Sequence, residues 1–359
     1  MTLKIFSSIN QSRFSWLMLL VLLAFTLAGV SCSVGVGSTI TDGGVYRSSD
    51  QAKTWKQIVY VGQSGKKVVT IANLNVRSLA VSPIDTATVY AVAGDNGLYQ
   101  TTNAGEVWQQ VFRGTGVQAL ALHPRLRDVM YLAAGNRIYR TTNGAKDWQG
   151  VYFETTADVA VTDLAIDILN PKVLYAGTSK GSLIKSDDEG ASWQPVYFFK
   201  QRVAKVEVNP RDSKVLYVAQ PNGSLWRSAD AGGTWTEVSL GIRDQLKKTY
   251  GSYKALAFLA GRPDAVIYAT QYGLFRSLAS GTVWEEVKLV TPPNAVGITA
   301  LVTSPTKEQD IFYATLSTFY RSSDSGASWE TLPLPSKRQP TALVLNPSDL
   351  QVMYLGFSK

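Results

Sequence analysis

The chain has 359 residues and a formal net charge of +8, and an excess of Lys and Arg of this size favours an anionic partner or surface. A single Cys excludes an intrachain disulfide, and a single His argues against metal sites built from several His and Cys ligands and against a Ser-His-Asp triad. Only 17% of the residues are charged and 29 are Gly, which favours short strands and tight turns over helices.

Residues 1–32 have the pattern of an export segment. Lys4 and Arg13 precede an apolar run over residues 14–30, and Cys32 follows Ser31. This stretch resembles a bacterial lipoprotein signal with Cys32 as the lipid-attachment residue, although Gly29 stands where an aliphatic residue is usual. Alternatives are an uncleaved membrane anchor, because the run is close to the minimum spanning length, and simple secretion. We expect the protein to be exported and anchored to the outer face of a bacterial membrane, which argues against a nucleic-acid partner.

After a short linker predicted at residues 33–43, one domain is predicted over residues 44–359. An eight-residue motif of the form Ser/Thr-x-Asp/Asn-x-Gly-x-x-Trp recurs seven times there, although individual copies depart from it, such as Ala52 at the Gly position and Ala279 at the Asp position. The third-position Asp and Asn residues are Asp50, Asn103, Asn143, Asp188, Asp230 and Asp324, and the closing tryptophans are Trp55, Trp108, Trp148, Trp193, Trp235, Trp284 and Trp329. Repeats spaced by roughly 40–50 residues are typical of β-propellers.

Each unit has the same four predicted strands. In the unit that closes at Trp235, alternating residues 203–208 end at Asn209-Pro210, residues 215–219 form a second apolar strand, and strands at 224–228 and 235–239 flank the motif. The domain opens with a third-type strand at residues 44–48 and ends with a second-type strand at residues 352–356. The sequence therefore predicts an all-β, single seven-bladed propeller whose last blade is completed by two strands from each end.

The repeated motif resembles the Asp-box, or bacterial neuraminidase repeat. In that family the motif forms the turn between the third and fourth strands of a blade, so its Asp and Trp residues are expected to be structural. Short polar side chains hold such turns through backbone amides, Gly permits positive φ, and Trp is an apolar anchor. His123, which precedes a turn Pro, and Trp226, on a third strand, are interpreted as a turn residue and a core residue.

Over nearly the whole predicted domain, the repeats resemble those of the photosystem II stability/assembly factor family, and more distantly the sortilin-type and sialidase-type propellers. The resemblance implies a non-catalytic assembly factor or chaperone that binds a membrane-protein client. Sialidases carry a Phe/Tyr-Arg-Ile-Pro segment that this chain lacks, and xyloglucanase-type glycosidases use two tandem propellers. Asp163 and Asp167 lie four residues apart on one strand, a spacing that does not place them across a cleft. The alternative function is a carbohydrate-binding or glycoside-hydrolase-like propeller.

Basic residues are concentrated in the predicted connections between blades, where functional residues of propellers usually collect. The candidate partner-binding residues are Lys66, Lys67, Arg202, Arg243, Lys247, Lys248, Lys337 and Arg338. One interpretation is a solvated basic surface; the other is a docking face for an acidic or membrane-embedded protein, an anionic lipid or an anionic glycan. We expect a monomer without enzymatic activity, metal or other cofactor.

Overall fold

The computed structural model describes residues 41–271, 273–292 and 297–359, and these residues belong to one compact unit. The predicted export segment with Cys32 lies outside the described residues, as does most of the predicted linker. Among the residues that the structure describes, no helix combines the length and the apolar character needed to cross a membrane.

The chain folds into seven four-stranded antiparallel sheets and one extra hairpin, which confirms the predicted seven-bladed all-β propeller. It begins with β1 (Val45–Ser48) and β2 (Lys56–Gln57), followed by the hairpin of β3 (Tyr60–Ser64) and β4 (Lys67–Thr70). Blade 1 contains β5 (Ser78–Val81), β6 (Val89–Val92), β7 (Leu98–Thr101) and β8 (Gln109–Phe112); blade 2 contains β9 (Val117–Leu122), β10 (Met130–Ala134), β11 (Arg137–Thr141) and β12 (Gln149–Phe153); blade 3 contains β13 (Val161–Ile166), β14 (Leu174–Thr178), β15 (Ser182–Ser186) and β16 (Gln194–Phe198).

Three further blades follow, and two strands complete the seventh. Blade 4 contains β17 (Lys205–Val208), β18 (Leu216–Ala219), β19 (Leu225–Ser228) and β20 (Thr236–Glu237); blade 5 contains β21 (Tyr253–Phe258), β22 (Val266–Thr270), β23 (Gly273–Ser277) and β24 (Glu285–Val287); blade 6 contains β25 (Ala300–Thr303), β26 (Ile311–Ala314), β27 (Thr318–Ser322) and β28 (Glu330–Pro333). The last strands are β29 (Gln339–Leu345) and β30 (Met353–Ser358).

Blade 7 is assembled from segments far apart in sequence. Its strand order is β2-β1-β30-β29, and β1 pairs antiparallel with β30 from Val45 opposite Gly356 to Ser48 opposite Met353. The two strands of each segment pair as a hairpin, so blade 7 has the same inner-to-outer order of strand types as the other six. A backbone contact between Phe357 N–H and the Gly44 carbonyl, 2.9 Å long, extends this pairing.

The core lies between blades, because the two sides of each twisted sheet pack against the two neighbouring blades of the ring. Among the described residues the buried apolar side chains form seven clusters, and each cluster joins two neighbouring blades. The second strand of every blade contributes one tyrosine that is no more than 2% exposed: Tyr90, Tyr131, Tyr175, Tyr217, Tyr268, Tyr313 and Tyr354. The repeated tyrosine of the predicted second strands is therefore a structural residue.

Antiparallel pairing gives the ring two different faces. The turns between strands one and two and the motif turns between strands three and four share one face, which we call the box face. In all seven blades a motif-turn N–H donates a hydrogen bond of 2.7–3.1 Å to a carbonyl of the strand-one-to-two turn, as from Ala231 to Lys214. The seven connections from strand four to the next strand one lie on the opposite face, which we call the loop face.

Two connections on the loop face contain regular structure. The connection from blade 7 to blade 1 contains the β3–β4 hairpin, where the sequence had been interpreted as a basic loop. The connection from blade 4 to blade 5 contains helix α1 (Leu240–Leu246), whose Ile242 is buried against blade 5.

The contact between blades 7 and 1 can be tested at a motif glycine. A Cβ on Gly105, at φ +98°, would lie 2.2 Å from Ile58 Cδ1, whereas a Cβ on Gly232, also at φ +98°, would have no neighbour closer than 3.8 Å. Both Ala variants bear the backbone cost of a left-handed residue, but only Gly105→Ala adds overpacking, worth about 1–3 kcal/mol. Chemical unfolding should show Gly105→Ala less stable than Gly232→Ala by about that amount; equal losses would contradict the close inter-blade contact.

Candidate functional site

The motif turns are hydrogen-bonded turns in which every copy uses its first residue in the same way. The Ser or Thr hydroxyl at the first position accepts a hydrogen bond of 2.8–3.2 Å from the N–H of the fifth position in all seven copies. The fourth and fifth positions both have positive φ, including Ala52 at 72° and Ala145 at 67°. Left-handed backbone at two successive residues reverses the chain, and the buried hydroxyl holds it there.

The motif carboxylates strengthen these turns from the solvent side. Asp230 Oδ1 accepts hydrogen bonds from Ser228 Oγ (2.8 Å) and Thr234 N (2.8 Å), and its Oδ2 accepts one from Thr234 Oγ1 (2.7 Å). The bonds from Thr234 and Ser228 lower the pKa of Asp230 to about 2. Asp50, Asp188 and Asp324 have the same arrangement, and hydrogen bonds lower the pKa of each to about 2.

The negative charge is dispensable in this turn. Asn103 Oδ1 accepts from Val107 N at 3.0 Å, and Asn143 Oδ1 accepts from Asp147 N at 3.0 Å, so an amide oxygen replaces the carboxylate. At Ala279 the hydroxyl of Thr282 donates instead to the Ala279 carbonyl. The six Asp and Asn residues therefore occupy structural positions, consistent with their interpretation as turn residues.

The closing tryptophans join neighbouring blades. The indole N–H of Trp108, Trp148, Trp284 and Trp329 donates to a carbonyl of the preceding blade or of the connection after it, at 2.7–3.0 Å. Trp193 and Trp235 donate within their own turns; Trp193 packs against Tyr152 of the preceding blade, and Trp235 packs against Phe199 of the connection after the preceding blade. Within the described part of the chain, Trp55 Nε1 has no hydrogen-bond partner, and its ring packs on Phe319.

His123 and Trp226, which the sequence analysis interpreted as a turn residue and a core residue, also have structural contacts. His123 is buried in the strand-one-to-two turn of blade 2, where its Nδ1 accepts hydrogen bonds from the N–H groups of Arg125 and Leu126. Burial lowers the pKa of His123, which favours the neutral ring that accepts these bonds. Trp226 is half-buried between blades 3 and 4 and donates to Gln220 Oε1 at 3.0 Å.

All eight candidate basic residues lie in strand-four-to-one connections, so the structure places them on the loop face. They are distributed over four of the seven connections: Lys66 and Lys67 on the β3–β4 hairpin; Arg202 between blades 3 and 4; Arg243, Lys247 and Lys248 at α1; and Lys337 and Arg338 between blades 6 and 7.

These eight side chains differ in their burial and in their hydrogen-bond and ion-pair partners. Arg338 is half-buried and donates to the Ala72 carbonyl and Asn73 Oδ1, so it links two connections. Lys248 pairs with Glu286 at 3.3 Å, and Arg243 pairs with the adjacent Asp244 at 2.8 Å on an exposed surface. Lys66, Lys67, Arg202, Lys247 and Lys337 are exposed and form no ion pair with another described residue.

The two faces carry opposite charge. The seven loop-face connections (58–77, 113–116, 154–160, 199–204, 238–252, 288–299 and 334–338) contain twelve Lys and Arg but only three Asp and Glu. The turns of the box face (49–55, 82–88, 102–108, 123–129, 142–148, 167–173, 187–193, 209–215, 229–235, 259–265, 278–284, 304–310, 323–329 and 346–352) contain nine Lys and Arg but sixteen Asp and Glu. The modest net charge of the chain therefore hides a strong separation between faces.

The centre of the ring contains a cavity of about 460 Å³ lined by the first strands of all seven blades. Asp163 on β13 and Lys205 and Glu207 on β17 meet there: Lys205 Nζ lies 3.4 Å from Asp163 and 3.2 Å from Glu207. Asp163 Oδ2 also accepts the Val206 N–H at 2.8 Å. Burial lowers the pKa of Lys205, but the two carboxylates outweigh burial and raise it overall.

Asp163 and Asp167, the two carboxylates considered in the sequence analysis, lie in different environments. Asp163 faces the channel, whereas Asp167 accepts the N–H groups of Leu169 and Asn170 in a turn on the box face. Sequence reasoning had not assigned Arg77, Lys205 and Glu207 to any site. The residues that the structure describes contain no group of three or more His, Cys, Asp or Glu placed to hold a metal ion.

Residues 45–58 match the family model of the BNR-Asp box repeat. This match covers β1, the first motif turn and β2, and it supports the resemblance to Asp-box propellers. A comparison with curated protein sequences gives no match.

Similar solved structures include two glycosidases and two assembly-factor-type propellers. The GH74 xyloglucanase from Xanthomonas campestris has a TM-score of 0.66 and 18% identity, covering 85% of this chain and 52% of that chain. A GH74 enzyme from Niastella koreensis has a TM-score of 0.65 and 14% identity, covering 84% and 53%. This chain therefore spans about half the length of each GH74 chain.

The match to YCF48 covers nearly the whole of the other protein. YCF48 from Cyanidioschyzon merolae has a TM-score of 0.61 and 15% identity, covering 79% of this chain and 96% of that chain. A YCF48 structure described as bound to D1 peptide has a TM-score of 0.60 and 14% identity, covering 80% and 94%. At these identities the likeness shows the fold alone.

The low pKa of a motif carboxylate gives a testable pH dependence. Because the pKa of Asp230 in the folded protein is about 2, below its ordinary value of 3.8, ionised Asp230 stabilises the fold above about pH 4 and loses this effect as the pH falls towards 2. Asp230→Asn, which keeps an acceptor oxygen, should flatten the fall of the melting temperature between pH 5 and pH 2.

Glu106→Gln is the control for that measurement, because it removes one exposed charge from a motif turn without removing a turn hydrogen bond. An equal flattening in both variants, or none in Asp230→Asn, would contradict a stabilising role for the ionised carboxylate.

Proposed function

We propose that this propeller is a non-catalytic, membrane-anchored extracytoplasmic protein that binds the acidic segment of a protein client through its loop face. The observation that carries the proposal is the excess of Lys and Arg on that face, twelve against three Asp and Glu. A face of one charge attracts partners of the opposite charge, orients them during approach and disfavours basic partners.

The arrangement of the cations supports recognition of an extended segment. They come from separate connections around the ring, and several side chains are exposed without an ion-pair partner among the described residues. A peptide that crosses the face would contact several of these connections at once. The aromatic side chains of Tyr250, in the connection that carries α1, and of Tyr253, at the start of β21, are partly buried and add apolar surface on this side of blade 5.

The proposed anchor favours a client in or at a membrane. Residues 14–30, or a lipid on Cys32, would hold the protein at the membrane in which such a client lies. Within the ring, the Lys337 N–H donates to Asp42 Oδ2 at 3.1 Å on the loop face.

The similarity to YCF48 supports a protein client. One YCF48 structure is described as bound to D1 peptide, and the repeats of this chain resemble the assembly-factor family in sequence pattern. We propose a role of the same kind, as an assembly factor or chaperone for a membrane complex.

Carbohydrate binding or cleavage is the second candidate, because the first strands place Asp163 and Glu207 in a central cavity of a fold shared with GH74 enzymes. Both carboxylates lie within 3.4 Å of Lys205 Nζ, and Asp163 also accepts a backbone N–H. An acid–base pair in a glycosidase requires carboxyl groups placed on either side of a substrate. Hydrolysis of an oligosaccharide that Asp163→Asn abolishes would establish this candidate and remove the non-catalytic proposal.

The client proposal is tested by cross-linked capture of partners from the host membranes with full-length protein. A loop-face variant changes Arg243, Lys247 and Lys248 to Glu. We expect it to lose a discrete membrane protein that the wild type captures, because the charge of the docking surface is reversed. Raising NaCl to about 0.5 M should weaken wild-type capture, since salt screens exposed charges.

A matched control changes the box-face residues Lys172, Arg211 and Lys214 to Glu, which are exposed and give the same change in net charge. This control should capture the client as the wild type does. Identical capture by all three proteins, or equal loss in both variants, would contradict recognition by the loop face.

A further inference from the structure

The mouth of the central cavity contains more positive charge than its own carboxylates can balance. Four cations line the cavity, Arg77, Arg202, Lys205 and Lys254, against the two carboxylates Asp163 and Glu207. Both carboxylates pair with the same cation, Lys205. The other three cations form no ion pair with any residue for which the structure gives a position.

The two guanidinium groups are near the loop-face end of the channel. Arg77 directly precedes β5 and Arg202 lies three residues before β17, so they approach the cavity from blades 1 and 4. Arg77 Nη1 donates to Gln118 Oε1 at 2.6 Å, which fixes its orientation. Burial, and then the positive charge of Arg77, lower the pKa of Arg202, so the two groups repel each other across the channel.

We propose that this channel mouth is a binding site for a compact oxyanion, a phosphate or carboxylate group, held between Arg77 and Arg202. The planar guanidinium group presents parallel N–H donors that match two oxygens of such an anion. An anion between the two groups converts their repulsion into two attractions. Lys254 adds a third positive charge on the side of blade 5.

The volume of the cavity limits the size of the ligand. A cavity of about 460 Å³ is in the range of small-molecule sites and is too small for a folded protein element. The site differs from the cations on the hairpin and α1 because its residues, although Arg77, Arg202 and Lys254 are exposed, line one common cavity. It goes beyond the client proposal, since a free small molecule could occupy it without any protein partner.

Isothermal titration calorimetry of the full-length protein tests the site with inorganic phosphate and, in a separate arm, with succinate at constant ionic strength. We expect saturable binding of at least one anion, and a loss of affinity of at least about tenfold in Arg77→Gln and in Arg202→Gln. Binding of phosphate alone would identify a phosphoryl group as the ligand chemistry, and binding of succinate alone would identify a carboxylate.

Arg113→Gln is the matched control, because Arg113 is exposed in the connection from blade 1 to blade 2 and does not line the cavity. Its affinity should equal that of the wild type, and Arg202→Lys, which keeps the charge but not the paired donors, should lie between wild type and Arg202→Gln. Unchanged thermal unfolding of each variant shows that the fold is retained.

Absence of saturable binding for both anions, or an equal loss in Arg113→Gln, would overturn the proposal. Capture of the client is measured separately with the variant at Arg243, Lys247 and Lys248. Client capture without anion binding would therefore overturn only the channel site, and anion binding without client capture would overturn only the client proposal.

Discussion

The fold depends on one hydrogen bond that is repeated seven times: a buried Ser or Thr hydroxyl accepts the N–H of a residue with left-handed backbone four positions later. An L-residue resists that backbone conformation, so the turn requires either Gly or a compensating contact. Once formed, the turn directs another N–H to the neighbouring strand-one-to-two turn and so joins the two hairpins of the blade. Asp, Asn and Ala are all tolerated at the third position, because a side chain there only adds hydrogen bonds to a turn that the Ser or Thr hydroxyl already holds.

Blades are held to one another by a different set of contacts. A tyrosine on each second strand fills the space towards a neighbouring blade, which is the preceding blade for Tyr268 and Tyr313 and the next blade for the other five. Most motif tryptophans reach back to a carbonyl of the preceding blade or of the connection after it. Each blade thus completes the core of its neighbours, as in other repeat architectures. Blade 7 packs against blades 1 and 6 in the same way, although its strands come from distant segments of the chain. Every blade of the described ring therefore has a neighbour on both sides.

Much of this fold could be predicted from the sequence because it is periodic. Seven copies of Ser/Thr and Trp at fixed spacing, five of them with Gly at the fifth position, determine the motif turns, and the order of strand types determines the blade number. The alternation of antiparallel strands then places Lys66, Arg243 and Lys337 on one face even though they are far apart in sequence. The β3–β4 hairpin was not foreseen, because its short strands are flanked by basic and polar residues and belong to no repeat.

The channel could not be predicted in the same way. Arg77, Asp163 and Lys205 lie at or next to first strands, where isolated charged residues are indistinguishable from the solvent-facing positions of an alternating strand. Only ring closure brings first strands of different blades together around a common axis. The ion pairs of Lys205 are therefore a property of tertiary structure, and the sequence period contains no information about which charges meet there.

The separation of charge between the two faces also has a consequence for how copies of this protein meet in solution. The basic loop face of one ring complements the acidic box face of another, and a contact between different faces leaves both outer faces free for further addition. Head-to-tail contacts of this kind close into a ring or remain open, depending on the rotation between successive copies. Added salt weakens this complementarity because both sets of charges are exposed, and an anionic partner on the loop face competes for the same cations.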